Sequence, residues 1–258
     1  MGGRGGQSHG AGGGGGEFKA AQDFFRQAYG AKHAKAIVDL LQKAPENIQQ
    51  LFKDYVKQFR AQHLAPGDDK EGAWYSPSLD AVFLDIGYVS RGDVISQPYQ
   101  TIFHEYGHMI DSLIARDMGS SGFVHYSELY KGGLLARTAE RELQTRIFSI
   151  MQSKEGMTRE QAIDALIRGA RQSYSMRDRS DLSDIMEGAG IGREYPLGAG
   201  HGLSYWAGYS GTGKRGTEIF AEITDALATS PGALRAIRDY FPETYAVYQD
   251  MIRERVKK

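Results

Sequence analysis

Hydrophobic positions recur at helical spacing over most of the chain and give way to alternation in one short stretch. Phe18, Phe24 and Phe25, then Ala34, Ile37, Val38, Leu40 and Leu41, then Ile48, Leu51, Phe52, Tyr55, Val56 and Phe59 follow one another every three or four residues. That spacing predicts helices with one apolar face. Gly30 and Pro45 interrupt the run and divide it into three helices, a helical layer expected over residues 17–65. Between Gly72 and Asp85 the pattern changes to aromatic and β-branched residues around Ser76-Pro77-Ser78, a hairpin signature. Its second strand is expected either to be purely structural or to pair with an extended peptide.

An apolar helix follows over Thr101–Asp111, with Ile102, Phe103, Met109, Ile110 and Leu113 flanking His104, Glu105 and His108. Residues 117–200 read as a long helical insert, with helices over 134–151 and 158–174 and a shorter one over 181–186. The second opens on a Thr158-x-x-Gln161 capping box. Gly188, Gly190 and Gly192 lack a preceding strand and a phosphate-binding lysine, so this stretch is a loop. Ser230-Pro231 starts a helix that runs to Tyr240, and Phe241, Tyr245, Tyr248 and Ile252 form the core face of a last one. The expected fold class is α+β, a mostly helical body with a small sheet or hairpin beside the 101–111 helix.

Residues 1–16 are mostly glycine, a composition that favours a flexible linker, and the expectation is that the domain, residues 17–258, is joined to or processed from a larger protein. The formal net charge is −1, from 31 basic and 32 acidic residues. This gives no electrostatic case for nucleic acid or an anionic membrane. The chain has no cysteine, which removes disulfides, thiolate-bound zinc and thiol catalysis together. No apolar run approaches the ~18 residues that a membrane span needs, and no signal-peptide core is present. Localisation is left open, and export would need another route or a larger parent protein.

His104 and His108 are one turn apart on one helix face, the spacing of two ligands on one metal ion. Glu105, rotated by about 100°, is placed to act as a general base on a water at that metal. Neutral imidazole and carboxylate suit Zn²⁺, and a catalytic zinc keeps three protein ligands and an open fourth position. The longer H-E-x-x-H-x-x-G-x-x-H pattern is excluded, because Asp111 and Ile114 stand where it needs Gly and His. The third ligand is sought in Gly216–Leu227. There Glu218 and Glu222 share one face of an apolar helix, where two buried carboxylates require a cation. One would bind the metal and the other would orient a ligand histidine. His33, His63 and His125 are read as ordinary residues.

Taken together, the aromatic hairpin Trp74–Asp85, the H-E-Y-G-H-x-x-D run His104–Asp111, a tyrosine-containing loop, Glu218-x-Phe220-Ala221-Glu222 and the closing Phe241–Tyr245 segment resemble the lethal-factor-like zinc metallopeptidases, gluzincins. The resemblance covers the chain from the hairpin onward. It implies a zincin-type fold and hydrolysis of peptide bonds in a peptide or protein substrate. By the same resemblance His104, His108 and Glu218 are the zinc ligands, Glu105 is the base and Glu222 stands behind the ligands. An oxyanion-stabilising tyrosine is implied shortly before the third ligand; Tyr209 fits that place, with Tyr205 the substitute. Domains of this family also occur in phage head-associated and polymorphic toxin proteins, behind glycine-rich linkers. The insert departs from the family pattern and is expected to reshape or cover the cleft. The alternative expectation is a non-catalytic virion module that keeps the fold; it predicts loss of Glu105 or a ligand, and none is lost.

Overall fold

The computed structural model describes residues 16, 18–64, 72–207 and 213–256. The apolar faces at the start of the chain form α1 (Lys19–Tyr29), α2 (Ala31–Leu41) and α3 (Glu46–Tyr55). The breaks fall at Gly30, which takes φ 86°, and at Pro45. A strand β1 (Ala61–His63) follows, then β2 (Ala73–Ser76), β3 (Ala81–Leu84) and the single turn α4 (Ile86–Val89).

The motif helix is α5 (Gln100–Asp117). Residues 117–200 contribute α6 (Tyr126–Leu129), α7 (Leu134–Gln152), α8 (Arg159–Ser173) and α9 (Ser180–Gly188). Both halves of the Thr158–Gln161 capping box form at the start of α8. The chain then runs through α10 (Leu203–Ala207), α11 (Gly213–Thr229), α12 (Pro231–Tyr240) and α13 (Pro242–Arg255). The described residues are mostly helical with one small sheet, and among them no helix is long and apolar enough to cross a membrane.

The sheet differs from the expected hairpin in one consequential respect. β2 and β3 pair antiparallel, but β1 joins the other side of β3 in parallel, so the order is β1-β3-β2. Both edges of the second hairpin strand are thus occupied, and it cannot receive a peptide. Among the described residues the free edge beside α5 belongs to β2. Residues 17–65 are likewise not wholly helical, since they end in β1. Trp74 and Phe83, partners in register, stack at 5.1 Å on one face of the sheet. Asp80 closes the turn with φ 49° and takes a two-pronged ion pair from Arg116 near the end of α5, Nη1–Oδ2 at 2.8 Å and Nη2–Oδ1 at 2.5 Å.

The N-terminal layer supports α5 from behind. Tyr106 points away from His104 and His108 into an aromatic cluster, with Phe59 stacked at 4.6 Å and Phe24 and Phe25 edge-on at 5.8 and 5.5 Å. Its hydroxyl meets that of Tyr29 at 2.7 Å. On the opposite side α5 packs along α11, and Gly107 sets how closely. A Cβ on Gly107 would lie 3.2 Å from Ala221 Cα and 3.4 Å from Thr224 Cβ. The small residues within H-E-Y-G-H and E-I-F-A-E therefore let two backbones approach, and the charged groups beside them converge.

Candidate metal centre

α5 and α11 bring three donors into one triangle. Nε2 of His104 and Nε2 of His108 are 3.1 Å apart, and each lies 3.4 Å from Oε2 of Glu218. Three donors bound to one ion at about 2.0–2.2 Å with tetrahedral angles would stand about 3.3–3.6 Å apart. Among the described residues two groups of donors are close enough to hold a metal ion, this one and His104 with Glu222 and Asp225. The first has an independent mark: Glu218 Oε2 is buried and has no hydrogen-bond partner. A carboxylate oxygen left so is costly, and a cation on the triangle would satisfy it. Nitrogen and carboxylate donors are the set that zinc takes.

The environment of each group follows from its neighbours. Burial works against the charge on Glu218, but His108 and His104 outweigh it and hold the carboxyl well below its usual range. Burial also opposes protonation of His104, yet Glu222, Asp225, Glu218 and Glu105 together raise its pKa well above 6.5 in the metal-free chain. The face of His104 turned away from the triangle explains this. Its Nδ1 lies 3.3 Å from Asp225 Oδ2 and 3.6 Å from Glu222 Oε1.

Glu222 thus stands beside Nδ1 of His104, but Asp225 is nearer. Sequence reasoning missed it. Positions 218, 222 and 225 follow the i, i+4, i+7 rule for one helix face, which was the available signal. Burial raises the pKa values of both Glu222 and Asp225; at Glu222 the Asp181 and Asp225 charges add to it, whereas at Asp225 the contacts with His104, Asp181 and Gln100 oppose it. Gln100, the first residue of α5, donates to Asp181 at 2.8 Å and to Asp225 at 3.3 Å. One buried amide therefore ties α5, α9 and α11 together.

Glu105 is buried and lines the same cleft, which has a volume of about 990 Å³. Ala73, Trp74 and Tyr75 of β2 form part of its wall, and Phe123 lines it while 62% exposed. His125 also lines it, with Nδ1 3.1 Å from Glu128, but does not join the donor triangle. His33 pairs with Tyr99, and His63 packs against Tyr29. Asp111 accepts from the backbone N–H of Ser127 at 2.8 Å and from its hydroxyl at 2.6 Å, fastening α6 to the motif helix.

The long insert lines the cleft, and its last helix builds a wall of it. From α9, Ser183 accepts from the Leu197 N–H and donates to the Ala199 carbonyl. Asp184 accepts from both the ring and the backbone N–H of His201. Glu187 accepts from the N–H groups of Tyr195 and Gly202 and from the Trp206 indole. This side of α9 fixes the loop that leads into α10 and Tyr205. The Tyr205 hydroxyl donates to Glu218 Oε1, the oxygen turned away from the triangle. Burial and the Glu218 charge push the phenol pKa far up, so it holds its proton. Tyr209 lies outside the described residues. Comparison with protein-family models, with curated proteins and with solved structures finds no match for this chain.

Proposed function

We propose that the chain is a zinc-dependent endopeptidase of zincin type, similar to the lethal-factor-like metallopeptidases, with His104, His108 and Glu218 as ligands. The observation that carries this reading is the donor triangle of 3.1, 3.4 and 3.4 Å around an orphaned carboxylate oxygen. Bound Zn²⁺ would supply Lewis-acid polarisation of the scissile carbonyl and lower the pKa of water to about 7. Glu105 takes the proton from the attacking water and passes it to the leaving amine. Tyr205, already at the third ligand, donates a hydrogen bond to the tetrahedral oxyanion and in this reading takes the place expected for Tyr209. Asp225 and Glu222 hold the His104 ring from behind through Nδ1.

An extended peptide would add to the free edge of β2, its backbone pairing with the strand and its side chains alternating between Phe123 and the cleft floor. The test is metal analysis of the purified chain together with cleavage of a peptide library, with Glu105→Gln as control. Stoichiometric zinc and cleavage that disappears in the control are expected. Stoichiometric zinc without cleavage of any peptide would point instead to a non-catalytic interaction module of the same fold. The association with phage-head or toxin proteins belongs to this proposal, and identification of the parent protein tests it.

A further inference from the structure

Tyr205 is held in a way that its proposed role alone does not require. Lys214 Nζ lies 3.0 Å from the centroid of the Tyr205 ring and donates to the Tyr205 backbone carbonyl at 2.9 Å. The His201 imidazole stacks on the same ring at 4.1 Å, only 26° from parallel. One face of a phenol has no room for both groups at those distances, so they occupy opposite faces. His201 is itself fixed, with Nδ1 2.7 Å from Asp184 Oδ1 and its backbone N–H 2.9 Å from the same oxygen. The Trp206 ring closes the edge at 5.1 Å. Burial lowers the pKa of Lys214, as expected of an ammonium drawn out of water. Among the described residues the Tyr205 carbonyl is the hydrogen-bond acceptor of Lys214, and the Glu218 charge draws the ammonium to the same side.

We propose that Lys214 and His201 are positioning residues that clamp the Tyr205 ring from its two faces and hold its hydroxyl at the metal-facing end of the cleft. This inference rests on the peptidase reading and extends it to two residues that neither touch the metal donors nor carry the proton. A phenol has two side-chain torsions, and a donor fixed before substrate arrives loses no further freedom in the transition state. A cation over a desolvated ring contributes more than one in water, and the hydrogen bond to the Tyr205 carbonyl fixes the backbone beneath the ring. The imidazole adds a flat second wall. On this account its planarity matters and its ring nitrogens do not act on substrate.

The experiment uses the full zinc-loaded chain. Zinc stoichiometry, melting temperature, kcat and KM for a cleaved peptide, and the Ki of a phosphinic peptide that mimics the tetrahedral anion are measured for each variant. Lys214→Met is expected to lower kcat and weaken phosphinic-peptide binding by about 10-fold, with zinc content, KM and melting temperature unchanged. Lys214→Arg, which keeps a flat cation for the ring, recovers most of the loss. His201→Phe keeps the stack and stays near wild type, whereas His201→Ala falls with Lys214→Met. In a Tyr205→Phe background Lys214→Met has no further effect, because it acts only through the lost hydroxyl.

Full additivity of Lys214→Met and Tyr205→Phe overturns the clamp, as does a silent Lys214→Met or a His201→Phe variant as impaired as His201→Ala. In each of those cases the active wild type leaves the peptidase reading standing. A wild-type chain that holds zinc but neither cleaves peptides nor binds the phosphinic peptide overturns both.

Discussion

Replacing, one at a time, the three carboxylates that α11 aims at His104 separates a ligand from the groups behind it. Glu218→Gln keeps the volume and an acceptor for the Tyr205 hydroxyl, but puts a neutral group where Oε2 lies 3.4 Å from both histidine nitrogens. Glu222→Gln and Asp225→Asn leave the triangle intact and act on Nδ1 of His104, from 3.6 and 3.3 Å. Loss of a group that orients a ligand typically weakens metal binding by about 10–100-fold. The nearer Asp225 belongs at the upper end of that range and Glu222 at the lower. Loss of the ligand itself exceeds the range, at roughly 10³-fold or more.

At free zinc about 1,000 times the wild-type Kd, the metal stabilises the folded chain by about 4.1 kcal/mol. The same relation leaves about 2.7 kcal/mol for Glu222→Gln, about 1.4 for Asp225→Asn and about 0.4 or less for Glu218→Gln. For a domain of this size 1 kcal/mol moves the melting temperature by about 2–4 °C. Calorimetric scans with and without buffered zinc should therefore show a shift of roughly 8–16 °C in the wild type, falling in that order to roughly 1–2 °C. A Glu218→Gln variant with the wild-type zinc shift, or a Glu222→Gln variant that loses more than it, would refute the assignment of the third ligand.

Glu105→Gln should keep zinc content and folding while peptidase activity falls by about 10²-fold or more; single-turnover assays on the purified variant check this. Tyr205→Phe should lower kcat by about 10²-fold with KM and zinc content unchanged, and Tyr209→Phe run beside it shows which tyrosine serves the oxyanion. Zinc retention should weaken as pH falls, since the raised His104 pKa means protons already compete with the metal above pH 6.5; chelator competition across pH 5–8 measures it, and a flat profile contradicts the account. The Asp80 carboxyl keeps a depressed pKa because, although burial opposes its charge, the Arg116 hydrogen bonds and charge outweigh it. Its contribution is therefore present above pH 3.8 and is lost as pH falls through the lower folded value. Arg116→Met should cost about 0.5–1 kcal/mol at pH 7 in chemical denaturation, with the difference from wild type shrinking as pH falls below 3.8.

The periodicity of apolar residues determined most of the helices, because an amphipathic helix carries its own record of which face it buries. Gly30 and Pro45 marked breaks for reasons local to the backbone, and the Thr158–Gln161 box formed as its two residues require. His104, Glu105 and His108 were legible for the same reason, their geometry being set by one turn of helix. Partners distant in sequence were not. β1 has three residues, too few to carry a period, and is a strand only because β3 offers it an edge; that pairing moved the free edge from β3 to β2. The meeting of Glu218 with the two histidines depends on the close passage of α5 and α11 at Gly107 and Ala221. Asp225, Asp184, His201 and Lys214 look like ordinary polar residues in the sequence. Only the packing of α9, α10 and α11 brings them to one cleft, and Asp225, the buried one of the four, is stable there because other charges and dipoles surround it, drawn from up to 125 residues away along the chain.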